Sequence, residues 1–173
     1  MQIVQLKNNH LKFFDEQEKL IDKMSTHTYE DGTTIDYHSK FDNLKRDALI
    51  VELVQTVDYC EKNNIDYLKV QGALHQYAYF LCIKYFTELF PHFEGLSVED
   101  HIKYCVQLYK TGHFDLFIGE ILPFDELQKV KETIDNLEHT AKLIAKEQDI
   151  LAKQIDNVQS PILKDKLKKE LIN

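Results

Sequence analysis

The chain has 173 residues, of which 43% are hydrophobic and 29% charged, and its formal net charge is −8. That suits one domain of ordinary size, or one with an extension, and such a supply of apolar residues excludes global disorder. The acidic balance and the single arginine, Arg46, work against capture of a phosphate backbone, so no direct nucleic-acid binding is expected.

Residues 1–24 read as an N-terminal helical arm with an apolar seam of Ile3, Leu6, His10, Phe13, Gln17, Leu20 and Met24, weakened by two polar members. Residues 25–36 break it. Asp31–Gly32, flanked by threonines, either closes a small β-hairpin near residues 26–37 or marks a polar loop. Residues 37–62 read as a long amphipathic helix. Its broad face carries Phe41, Leu44, Ala48, Ile50, Leu53, Val54, Val57 and Cys60, and Asn63–Asn64 ends it.

Residues 65–90 read as the most hydrophobic helix, apolar nearly all round from Tyr77 and stopped by Pro91. Ser97, with Asp100 three residues on, resembles a capping box. The helix that follows carries Ile102, Val106 and Leu108 or Tyr109 and ends at Gly112. A short apolar segment leads to Pro123, which opens the last long helix, with Asp125 and Glu126 matching its dipole. Ser160–Pro161 breaks that helix, and a final turn or two uses Ile162, Leu163, Leu167 and Leu171.

The long C-terminal helix holds the strongest pattern in the chain. Leu127, Val130, Ile134, Leu137, Ala141, Ile144, Gln148, Leu151, Ile155 and Val158 alternate three and four apart, a heptad a/d seam with one polar member. A helix over residues 124–159 would run about 54 Å, beyond the roughly 40 Å diameter of a globule of this length. The large seam residues together gain about 12–24 kcal/mol on full burial, so something is expected to cover them. The flanking e and g positions cannot form an interchain ladder of ion pairs, because Thr133, Thr140, Ala145 and Ala152 are among them. Antiparallel packing with the N-terminal arm, within the chain or between two copies, is therefore favoured over a parallel homodimer. Gln148 either fixes register or marks a solvated break.

Motifs for chemistry are missing. There is no HExxH, no glycine-rich phosphate loop, no GxSxG and no paired Glu-x-x-His, so no catalytic, cofactor or metal residue is assigned. Cys60, Cys82 and Cys105 lie far apart and read as buried free thiols of a reducing, cytoplasmic protein. The N-terminus shows no targeting segment, and the most apolar window, residues 73–90, contains His75, Gln76, Lys84 and Glu88, so no membrane insertion is expected. Gln71, His75 and Tyr79 stack at i, i+4 and i+8. They either line a pocket for a small polar ligand or form a satisfied core.

The expected fold is an all-α, elongated helical bundle with a long heptad helix. It divides into an arm at 1–24, a helical body at 37–122, and the heptad helix with a short terminal helix at 123–173. The expected function is non-enzymatic: protein–protein interaction or assembly through coiled-coil-type contacts, with a homodimer as the simplest partner arrangement. An acidic inhibitor of immunity type belongs to the same class. The alternative is a small-ligand-binding helical protein or enzyme with its pocket in residues 65–117.

Overall fold

The structure is a computed structural model and describes residues 23–156, apart from the side chains of residues 154 and 156. Its elements are β1 (Met24–Thr28), β2 (Thr34–His38), α1 (Asn43–Lys62), a 3-10 turn (Tyr67–Lys69), α2 (Ala73–Phe86), α3 (Phe90–Phe93), α4 (Val98–Lys110), α5 (His113–Leu116), a π-helical turn (Phe117–Ile121) and α6 (Phe124–Asp156). The chain is thus mostly helical, with one small antiparallel hairpin and a long C-terminal helix. It forms two compact units, one ending at Lys131 and the other beginning at Glu132. The seam residues of the N-terminal arm before residue 23, the break at Ser160–Pro161 and the terminal turn lie outside the described residues.

The hairpin forms where Asp31–Gly32 pointed. Gly32 takes φ +85°, donates its N–H to the Tyr29 carbonyl at 3.0 Å, and lets Tyr29 N–H reach the Thr33 carbonyl at 2.8 Å. This is the geometry of a three-residue hairpin loop with a glycine in the left-handed region. The ladder pairs Met24 with His38 through Thr28 with Thr34. Its second strand claims residues that had read as helix. The helix expected at 37–62 therefore starts at Asn43, where the Asp42 side chain accepts the Leu44 N–H at 2.8 Å.

The far end of α1 is closed by a Schellman motif. Asn64 sits at φ +55°, Ile65 N–H donates to the Cys60 carbonyl at 2.8 Å, and Asn64 N–H donates to the Glu61 carbonyl at 3.3 Å. The buried face of α1 is narrower than its apolar surface. Leu49, Leu53, Thr56 and Cys60 are buried, while Leu44, Ala48 and Val54 are exposed. A single helix packs about one stripe against a neighbour, and the remaining apolar residues face water.

The single helix expected at 65–90 is three pieces. Gly72, at φ +80°, separates the 3-10 turn from α2, and no side chain caps the α2 N-terminus. Thr87, not Pro91, ends α2. It turns extended (φ −125°, ψ 168°), and its hydroxyl donates to the Ile83 carbonyl at 2.7 Å. There it bridges Tyr37 of β2, and Glu88 N–H donates to the Asp36 carbonyl at 2.9 Å, which ties the hairpin to the helical body. Pro91 lies in the first turn of α3, where its missing N–H costs nothing.

The core of the first unit centres on α2. Tyr77, Phe80, Leu81, Cys82, Ile83 and Phe86 are all fully buried, so α2 is covered on several sides, as its all-round apolar sequence required. Phe41 stacks flat on Phe86 at 3.6 Å between centroids, and Phe93 meets Phe80 edge-on at 5.3 Å. Ser97 caps α4 by accepting the Asp100 N–H at 3.2 Å, the N-cap half of the box expected there, while the Asp100 carboxylate accepts from the Ser97 hydroxyl at 2.9 Å. The buried face of α4 is His101 and Cys105, with Ile102, Val106 and Leu108 half-buried beside it, one position round from the expected stripe. Gly112, at φ +76°, ends that helix. In the π-helical turn Leu122 N–H reaches the Phe117 carbonyl at 2.8 Å. Among the described residues no helix is long and apolar enough to cross a membrane.

Candidate functional site

The seam of α6 divides into two kinds of residue. Leu127 and Val130, in the first unit, are buried. In the second unit Ile134 and Ile155 are buried, whereas Leu137, Ile144 and Leu151 are 43%, 51% and 46% exposed. Ala141 and Gln148 are exposed as well, and Val158 lies outside the described residues. Leu143 and Ile150, outside the seam at heptad position c, are about half exposed. Every described residue from 139 to 151 is exposed. The charged residues beside this stretch pair along the helix itself, Lys142 with Glu138 at 3.4 Å and Lys153 with Asp149. Those exposed i, i+4 pairs add little stability.

A second feature belongs to the first unit. Gln71, His75 and Tyr79 line one open groove of about 510 Å³ at the start of α2. Tyr67 from the 3-10 turn, Val70 and Gly72 just after it, Ala73 and Gln76 from α2, Tyr109 from α4 and Phe114 from α5 also line it. The Tyr67 hydroxyl donates to Gln76 Oε1 at 3.2 Å and lies 3.4 Å from Cys105 Sγ. Burial, then the contact with Cys105, push the Tyr67 phenol well above its ordinary value, so it stays neutral. Tyr109 and Phe114 meet edge-on at 6.0 Å.

A third feature had no sequence motif. The Glu52 carboxylate of α1 accepts from Lys84 Nζ at 2.8 Å on both oxygens and from the Tyr85 hydroxyl at 2.7 Å, and His101 Nδ1 lies 3.4 Å away. Burial alone would raise its pKa. Hydrogen bonds from His101, Lys84 and Tyr85, with the lysine charge, outweigh that and hold the carboxyl at about 2. Nε2 of His101 lies 3.0 Å from the Phe93 carbonyl, so both ring nitrogens are engaged. A cleft of about 370 Å³ adjoins the cluster. Since Glu52 and His101 spend their polar atoms on one another and on neighbouring groups, the cluster reads as a buried cross-brace of α1, α2 and α4. One signal could have found it: Lys84 is the lone charge in the apolar run YFLCIKYF, and a buried ammonium needs a carboxylate.

The thiols are poor nucleophiles. Cys60, Cys82 and Cys105 are free and buried, and burial raises all three, Cys105 to about 11.

A family model described as YomO matches residues 3–170, and the chain belongs to that family. No curated protein and no solved structure matches it.

Proposed function

We propose that this chain is a non-enzymatic assembly protein that acts through helix-to-helix contacts, with a second copy of itself as the partner. One observation carries the reading: Leu137, Leu143, Ile144, Ile150 and Leu151 stand about half exposed on one helix that keeps a heptad period. Covering the exposed halves of the seam residues Leu137, Ile144 and Leu151 on two copies would gain about 4–9 kcal/mol, against an association cost of about 4–15 kcal/mol. That balance supports a concentration-dependent dimer rather than a permanent one. The buried free thiols suit a reducing, cytoplasmic setting. The acidic balance and lone arginine favour a protein partner over a nucleic acid.

Light scattering on the full chain tests this. The wild type should gain mass toward a dimer with rising concentration, and Ile144→Asp with Leu151→Asp should hold it monomeric with unchanged helical circular dichroism. A wild type that stays monomeric, or a double variant that still dimerises, removes the proposal.

A second reading, binding of a small ligand, is favoured by the groove that gathers Gln71, His75 and Tyr79.

A further inference from the structure

We infer that the groove at the start of α2 binds an uncharged, planar heteroaromatic ring of the nucleobase kind, held by stacking and by carboxamide hydrogen bonds. The inference rests on the ligand-binding reading above and gives that ligand a chemical class.

Its composition is the first ground. The groove is walled by the rings of Tyr67, Tyr79, Tyr109 and Phe114. Among the described residues that line it none is Asp, Glu, Lys or Arg, on a chain that is 29% charged. Aromatic walls without formal charge suit a flat π-system and give an ionic group no counter-charge.

The available polar groups are the second ground. Among the described residues neither the Gln71 carboxamide nor the Tyr109 hydroxyl has a hydrogen-bond partner. The Tyr67 hydroxyl takes Gln76 Oε1, which leaves the Gln76 amide to donate. A carboxamide offers a donor and an acceptor side by side, the complement of the amide-like edge of a nucleobase. Tyr67 is held in turn by Cys105, so this part of the wall is set before a ligand arrives.

Charge supplies the third ground, and it discriminates. Among the described residues the groove provides no lysine or arginine for a phosphate, and the chain carries −8 overall. A free base or nucleoside should therefore bind better than its monophosphate, and the difference should shrink as salt screens the repulsion.

The test is amide chemical-shift mapping of the full chain with adenosine, guanosine and uridine, with their 5′-monophosphates, and with a fragment set of aliphatic, charged and carbocyclic aromatic compounds. The expected result is saturable shifts at residues 67–79 and 109–114 with at least one nucleoside, and weaker binding of its monophosphate at low salt. Tyr109→Ala should weaken the nucleoside about tenfold, the scale of one lost stacking contact, and Gln71→Ala should weaken it further. Both side chains are exposed, so the spectra of the free variants should report an intact fold. Gln55→Ala, in the separate cleft beside Glu52 and His101, should change nothing. Monophosphates that bind as tightly as nucleosides overturn the inference, as does nucleoside binding indifferent to both groove variants. Fragments of another class that shift these residues while nucleosides do not would overturn the ligand class and leave the ligand-binding reading standing. Silence from every compound would overturn both.

Discussion

Removing the Glu52 carboxylate leaves the Lys84 ammonium buried without its counter-charge. Breaking a buried pair from one side costs about 3–5 kcal/mol, whereas replacing both partners with apolar or neutral groups is often near neutral. Glu52→Gln should therefore lower stability by about 3–5 kcal/mol in urea unfolding, and Glu52→Gln with Lys84→Met should recover most of the loss. The pH dependence follows from the depressed carboxyl. Its ordinary value is 4.5 and its folded value about 2, so its contribution is complete above the ordinary value and is lost as pH falls between the two. The wild-type urea midpoint should drop across that window more steeply than that of the double variant; equal slopes would assign the acid sensitivity elsewhere. At this scale the sequence marked half of the pair. Lys84 stood out in an apolar run, but Glu52 lies 32 residues earlier, and no local pattern tells which acid meets it.

Helix ends depend on local chemistry, and the energies of their caps can be checked one at a time. Ser97→Ala removes an acceptor for the Asp100 N–H and should cost about 1 kcal/mol. Gly72→Ala meets no atom within 4 Å, yet puts a side chain at φ +80°, a left-handed conformation that costs about 1–2 kcal/mol; thermal or urea unfolding should show the loss despite the open space. Along α6 the same residue type should answer in opposite ways. Ile134→Ala should cost about 2–5 kcal/mol because Ile134 is buried. Ile144→Ala, half exposed, should change the stability of the dissociated chain by less than about 0.5 kcal/mol. The stops at Asn63–Asn64 and Gly112 were legible because each is made within a few residues of itself. The division of 65–90 was not. Its break at Thr87 is held by a bridge to Tyr37, fifty residues away, which no helical periodicity contains.

For the molecule as a whole, association and stability should be linked. If two chains meet through α6, the unfolding temperature should rise with protein concentration, since mass action favours the folded dimer. Ile144→Asp with Leu151→Asp should abolish that dependence, which differential scanning fluorimetry over a dilution series would show. By itself the sequence determined the helical class, a break at Asp31–Gly32, the helix ends at Asn63–Asn64, Ser97 and Gly112, and the heptad period of α6, because these arise from residues within a turn or two of one another. Only the tertiary structure decided which side of each apolar helix is buried, which carboxylate neutralises Lys84, and that Gln71, His75 and Tyr79 share a groove with Tyr109 and Phe114. Those outcomes depend on contacts between residues distant in the chain, and a stripe of hydrophobic side chains reads the same whether a neighbour covers it or water does.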